Sequence, residues 1–457
     1  MPVAAAALYF ASSALRHFFL QSTAHDLGIF DQAVYLISRG DVPLSSFMGF
    51  HVAGDHAAWI LYPIALLYRI HPGTYWLFLV QSLALAGAAF PLAALARDAR
   101  VMERDGALLV LAYLLYPVVY NQSLADFHPE AIAVPALIGA VLYARRRQAV
   151  AFAACVAIAL CCKEILGLTV FAMGLWLWRA ESRRAFGLAA AVAGAIWFGA
   201  MVVVVIPAFT GEDAARTMGD ERYAYLGKSS LEIVETALLQ PSVALRHLLS
   251  VSSFGYLVNL IVPVLWGVVP GHLAALWAAA PTALLNLLSE WSRQRHLTNQ
   301  YSLPIVPFLF VAVLAAIRGQ RTWLRDRRLI ALWCVIAFLA FARYPRLFRH
   351  AADLGTRGAR VEALALVPAQ APILTDNCLA AQVAHRRAVY VFGFNVTPES
   401  PQIPGDVEYV LLDQKRPCSV EPGWIIEVGE RLVAGGDFAV QHARDGVVLL
   451  RRIPTSS

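Results

Sequence analysis

Long apolar stretches recur along most of this chain, with short arginine clusters standing beside them. About 20 helical residues cross the roughly 30 Å of hydrocarbon in a bilayer. In lipid each backbone N–H and C=O must find its partner within the segment, so such stretches are restricted to helices. The runs lie near 1–20, 75–95, 106–121, 129–144, 149–162, 165–178, 185–207, 251–270, 272–288, 303–317 and 329–342. With 59% hydrophobic and 15% charged residues over 457 positions, the chain is too apolar for a soluble globule of this length. The sequence predicts an α-helical polytopic membrane protein of about eleven spans. Pro2 to Leu20 lacks a basic leader and a small-residue cleavage signature, and reads as a retained first helix.

The net charge of +6 comes largely from the arginines beside the apolar runs. This is the distribution of topology determinants and argues against nucleic acid as a partner. Arg97, Arg100 and Arg104; Arg145 to Arg147; Arg179, Arg183 and Arg184; and Arg318, Arg321, Arg325, Arg327 and Arg328 should face the cytoplasm. A cytoplasmic N-terminus places all of them inside. It places 21–74, 122–128, 208–250, 289–302 and everything after 342 outside. Ala57 to Ile70 would invert this order if it crossed, and is read as re-entrant or interfacial. The expected division is a transmembrane domain, 1–342, with a large first outer loop at 21–74 and another at 208–250, then an extracytoplasmic domain, 343–457.

After residue 343 the pattern becomes that of a small soluble α/β domain. Pro372 to Asp376, Ala388 to Phe392 and Glu408 to Asp413 read as strands. Asn377 to His385 reads as a helical interval with Asp376 as its N-cap. Phe438 to His442 and Val447 to Arg451 flank Asp445-Gly446, a hairpin signal. Cys155, Cys161, Cys162 and Cys334 lie in apolar runs, and no cysteine spacing resembles a zinc site. Cys378 and Cys418 fall in the soluble part, where an oxidising compartment would permit a disulfide.

Polar residues concentrate on the expected outer side. The first loop carries His25-Asp26-Leu27-Gly28-Ile29-Phe30-Asp31-Gln32, His51 and Gly54-Asp55-His56. Asp126-Phe127-His128-Pro129-Glu130 forms a short outer connection, in which Pro129 and Glu130 also suit a helix start. Lys163-Glu164 ends an apolar run, where ionisable groups are costly and read as functional or as an interfacial pair. In 208–250, Asp213, Asp220, Glu221, Arg222, Tyr223, Tyr225 and Lys228 are either wet loop residues or an anion site, with Arg222 and Lys228 as phosphate holders. Arg293, Arg295 and His296 put positive charge on the outer side, against the usual bias.

In order, these blocks resemble those of a prokaryotic membrane-protein family known as domain of unknown function 2079. The resemblance runs over most of the chain, including Pro372 to Tyr390 and the Glu408 to Asp413 strand. That family is similar in layout to the GT-C superfamily of multi-spanning glycosyltransferases. The likeness implies a catalytic carboxylate in the first outer loop, a soluble outer C-terminal domain and a polyprenyl-phosphate sugar donor. Asp26 then corresponds to the loop carboxylate, with Asp31 and Asp55 as competitors. This first loop departs from the pattern in having no adjacent Asp-Asp, Asp-Glu or Glu-Glu dyad.

The function expected on these grounds is sugar transfer from a polyprenyl-phosphate donor to an acceptor at the outer face of the cytoplasmic membrane. Asp26 would be the general base, and Lys163, Arg222, Arg293 and Arg295 would bind phosphate. Asp31, Asp55, His56, Asp126, His128, Glu130 and Glu164 would support or orient. A divalent cation is compatible with this set and not required by it. Membrane lipids are the other expected partner. Two different classes compete: a transporter or flippase of a lipid-linked or anionic solute coupled through Lys163-Glu164, and a non-catalytic membrane assembly protein.

Overall fold

The computed structural model describes residues 1–210, 222–227, 230–351 and 354–454. Each apolar run contains helix, including Pro2–Phe18, Tyr75–Gly87, Glu130–Arg146, Ala149–Cys162, Leu166–Arg179, Arg184–Ala200, Val251–Ile261, Val306–Arg318 and Arg327–Phe341. Among the described residues five helices are long and apolar enough to cross a membrane: Tyr75–Asp98, Glu103–Leu124, Arg184–Thr210, Gln300–Arg318 and Arg327–Arg349. Pro241–Leu248 with Val251–Gly267 forms a sixth candidate bent by 53°. Ala149–Cys162 and Leu166–Arg179 have 14 residues each. At 1.5 Å per residue that is about 21 Å, short of a full hydrocarbon crossing. The segment expected to be interfacial holds a helix only over Leu61–Ile70, 10 residues long.

The chain packs as two compact units. Unit 1 comprises residues 1–11, 53–60 and 79–343; unit 2 comprises 12–52, 61–78 and 344–457. Much of the first outer loop therefore folds within the same unit as the C-terminal segment.

In unit 1, Val306–Arg318 is buried along nearly its whole length, with Phe308 and Phe310 fully enclosed. Tyr113 and Tyr116 set their rings edge-on to Phe310 at 5.4 Å and donate their hydroxyls to the Leu85 and Leu260 carbonyls. Leu166–Arg179 and Arg184–Ala200 meet through Gly167, Gly174, Gly187 and Gly194, where a Cβ would strike facing backbone. Small residues permit this close approach of helices where lipid supplies no hydrophobic drive. At one end, the arginine-rich connections are joined by ion pairs: Arg146 to Asp98 (2.7 Å), Arg145 to Glu181 (2.8 Å) and Arg327 to Asp105 (2.6 Å).

The region 208–250 departs from a plain outer loop. Where described, it includes helices Ser230–Leu239 and Pro241–Leu248, the latter opened by Pro241 in its first turn. Its apolar residues Leu238, Leu239 and Leu245, read as loop, are helical. Asp213, Asp220, Glu221 and Lys228 lie outside the described residues.

Unit 2 contains a small ribbon, β1 (Leu44–Ser45) with β2 (Phe50–His51), and a five-stranded sheet. The sheet strands are β3 (Ile373–Thr375), β4 (Val389–Val391), β5 (Tyr409–Asp413), β6 (Phe438–Arg444) and β7 (Val447–Arg452), in the order β4-β3-β5-β7-β6. β3 is parallel to both β4 and β5, whereas β7 is antiparallel to β5 and β6. Asp445 and Gly446 both take positive φ in the β6–β7 turn, as an Asp-Gly hairpin requires. Asp376 caps a helix shorter than expected, Asn377–Ala380, by accepting from the Cys378 and Leu379 amides. Cys378 and Cys418 form a disulfide. Leu354–Ala365 and Pro422–Ala434 are helices not anticipated in the sequence. Ile425 and Val428 of the latter bury against Leu374, Val410 and Leu412 of the sheet.

Candidate functional site

The end of Glu130–Arg146 remote from the arginine ion pairs carries the charged cluster of unit 1. Glu130 opens that helix, and Lys163 follows directly on the end of Ala149–Cys162. The Lys163 ammonium donates to Glu130 Oε1 at 2.9 Å, and both side chains are buried. The pairing differs from the sequence expectation, which joined Lys163 to its neighbour Glu164. Lys163 has an extended backbone (φ −165°, ψ 146°), so consecutive side chains diverge. Glu164 instead approaches His56 at 3.5 Å, and its amide donates to the His56 carbonyl. His56 also lies 3.5 Å from Asp55. The fold thus gathers Asp55, His56, Glu164, Lys163 and Glu130 from three distant chain segments.

An amide network continues from this cluster. Gln81 accepts from the His128 backbone at 2.9 Å, and Gln122 meets His128 Nδ1 at 3.3 Å. Both glutamines donate to the Asp126 carbonyl. Asp126 and His128 are themselves buried. Neither glutamine stands out as a site residue in the sequence, although an amide inside an apolar run is a signal of the same kind as a charge there. Glu130 Oε2 and Gln122 Oε1 are buried without a hydrogen-bond partner among the described residues, as is Glu164 Oε2.

The expected phosphate-binding arginines divide. Arg222 lies over the Trp291 ring at 4.6 Å and near Tyr301 at 5.8 Å, with its buried Nε unpartnered among the described residues. Arg295 is committed to protein groups: it donates to Ser252 at 3.0 Å and to the Asn286 and Ser289 carbonyls. That leaves its fork little capacity for a ligand. Arg293 is exposed.

Asp26 and Asp31 belong to unit 2. Asp26 is partly exposed on a π-helical turn, Ala24–Gly28, a rare backbone form frequently found at functional sites. Asn377 holds this turn by accepting from the Ala24 amide at 2.8 Å. His25 packs edge-on to Phe394, with ring centroids 4.2 Å apart. Asp31 is 1% exposed and receives three donors: Tyr68 (2.5 Å), Thr74 (2.9 Å) and His385 (3.0 Å). Burial alone would raise the Asp31 carboxyl, but the His385 charge and these hydrogen bonds hold it below its ordinary value. Burial likewise opposes the charged His385, and Asp31 overrides it, raising the imidazole. Among the described residues no group of three or more His, Cys, Asp and Glu side chains could hold a metal ion.

Apolar helices followed by a C-terminal α/β sheet, with acidic groups on the segment after the first helix, make up a fold that recurs among solved membrane proteins. Two crystal structures of ArnT from Cupriavidus metallidurans share this fold. The form bound to undecaprenyl phosphate matches with a TM-score of 0.56 and 14% identity, over 99% of this chain and 97% of that one. The apo form matches with a TM-score of 0.52 and 13% identity, over 98% of each chain. The chain belongs to the family described as predicted membrane protein (DUF2079), which matches residues 16–449. No curated protein matches the sequence.

Proposed function

We propose that this protein is a GT-C-type glycosyltransferase. It moves a sugar from a polyprenyl-phosphate donor to an acceptor at the outer face of the cytoplasmic membrane. The observation that carries the reading is the end-to-end likeness to ArnT in a form bound to undecaprenyl phosphate. The N-terminus is then cytoplasmic and the C-terminal domain extracytoplasmic. The ion-paired arginine connections at one end of unit 1 and the Cys378–Cys418 disulfide support that orientation.

In the reaction, an acceptor hydroxyl gives its proton to Asp26 as its oxygen attacks the anomeric carbon. The bond from that carbon to the phosphate oxygen breaks, and the lipid phosphate leaves with the electron pair. That developing negative charge calls for preorganised cations, and the candidates are Lys163, Arg222 and Arg293 of unit 1. Asp55, His56, Asp126, His128, Glu130 and Glu164 orient the cations and the sugar hydroxyls. Asp31, with its acceptor positions filled by protein donors, holds the loop in shape.

The test is Asp26→Asn in proteoliposomes supplied with a panel of polyprenyl-phosphate sugars. The amide keeps the shape and cannot take the proton, so transfer should fall about 10²–10⁴-fold while folding is retained. Full activity in this variant would remove Asp26 as the base. A transporter reading draws on the bent pair Pro241–Leu248 and Val251–Gly267, since broken helices line transport sites. Absence of transfer from every donor, together with counterflow of a labelled lipid-linked or anionic solute, would favour that reading.

A further inference from the structure

Unit 2 carries a half-open cavity of about 170 Å³ lined by Asp31, Thr74, Gln382, His385 and Arg386. The charges in its wall are unequally compensated. Asp31 and His385 neutralise each other through their 3.0 Å contact, and Tyr68 and Thr74 complete the carboxylate's shell. The His385 ring is held flat against Tyr35, 4.7 Å between centroids and 4° between planes. Gln382 is likewise occupied, its amide nitrogen directed to His17.

Arg386 stands apart. Its side chain is buried, with the residue 6% exposed, and Nη1 donates to the Ala371 carbonyl at 2.9 Å. Its Nε is buried without a hydrogen-bond partner, and no carboxylate lies within ion-pair distance of it among the described residues. Burial pushes the guanidinium down to about 10, which leaves it charged at neutral pH. A buried cation without a counter-ion is among the most costly arrangements a fold can hold. An anion in the cavity would supply what Arg386 lacks. The guanidinium fork matches the oxygens of a phosphate group, while the Asp31–His385 pair adds no net charge to the wall.

We propose that this cavity is a binding site for a small oxyanion of the phosphate class, held by Arg386. The site lies beyond the transfer reaction proposed above and uses neither Asp26 nor Lys163. The phosphate could belong to a soluble ester or to a lipid headgroup, and the experiment separates the two.

The experiment is equilibrium dialysis of ³²P-orthophosphate against the full-length protein in phosphatidylcholine nanodiscs. The wild type should retain phosphate saturably. Arg386→Gln should weaken retention about tenfold or more, the loss expected for a charge-assisted donor set. Without phosphate, Arg386→Gln should melt no lower than the wild type, because it removes an uncompensated buried charge. Arg386→Lys keeps the charge but loses the fork, and should weaken retention by a smaller factor. Displacement of orthophosphate when phosphatidylglycerol is added to the nanodisc assigns the site to a headgroup; undiminished retention assigns it to a soluble phosphate. Three results would overturn the site: no saturable retention by the wild type, unchanged retention in Arg386→Gln, or, where that variant does not fold, unchanged retention in Arg386→Lys.

Discussion

Lys163–Glu130 in unit 1 and His385–Asp31 in unit 2 are both cation–carboxylate pairs in which the acid is taken out of water, and their surroundings are completed to different degrees. Both oxygens of Asp31 receive donors, from Tyr68 and His385 on one and Thr74 on the other. Glu130 receives Lys163 on Oε1, and its Oε2 is buried without a hydrogen-bond partner among the described residues. Gln122 shows a buried oxygen in the same condition, whereas Glu164 Oε2 faces His56 Nδ1 at 3.5 Å. A satisfied polar network fixes one conformation, while an incomplete one retains capacity for a further donor. The comparison casts Asp31 as a structural acid. It leaves the Glu130 cluster with capacity for a further hydrogen-bond donor.

The largest test of this contrast is Lys163→Met. It strands Glu130 in the interior, and thermal unfolding in detergent should show a loss of about 3–5 kcal/mol. Adding Glu130→Gln should recover much of that stability without recovering transfer. Equal melting of single and double variants would break the idea that the pair is charge-coupled. A smaller effect is expected from Asp31→Asn, whose amide group confronts donors that need acceptors. Stability should fall by about 1–3 kcal/mol, with transfer per folded molecule largely kept. Loss of transfer in a fully folded Asp31→Asn protein would move Asp31 from the structural side of the comparison to the chemical side.

The smallest effect concerns pH. Asp31 is held below its ordinary 3.8, so its contribution is present above that value and is lost as pH falls through the folded-state value. His385 is raised above its ordinary 6.5, so its contribution is full below 6.5 and is lost as pH rises through the folded-state value. The pair therefore stabilises unit 2 most between pH 3.8 and 6.5. Melting temperatures of the wild type should decline from pH 6 to pH 8.5, and His385→Gln should flatten that decline. An equally steep decline in the variant would show that other groups govern it.

Helices and strands were legible because each rests on local pattern. Length and apolarity mark Val306–Arg318, and the run Tyr409–Asp413 between Glu408 and Gln414 marks a buried strand. Asp376 as a cap and Asp445-Gly446 as a turn were readable from side-chain chemistry alone. Pro422–Ala434 also had a signal, Pro422 at its start with Ile425, Val428 and Leu432 on one face. Pair selection was not legible. Lys163 prefers Glu130, 33 positions away, over adjacent Glu164, and His385 reaches back 354 positions to Asp31. Such choices depend on which backbone segments pack together. Periodicity within one segment carries no record of them.

The residues around Asp26 are braced by the far end of the chain: Ala24 by Asn377, Gln32 by the Arg386 carbonyl, and Ser46 by Val389. A ribosome adding about 5–20 residues per second needs roughly 20–70 s to travel from the first of these segments to the last. During that interval the loop has no bracing and Asp26 no fixed position. A polypeptide released early, even one with most of its helices in the bilayer, would carry Asp26 without these braces. With Asp26 as the base proposed above, reactivity is tied to completion of synthesis, and a fragment stalled before residue 344 should be inert toward substrates.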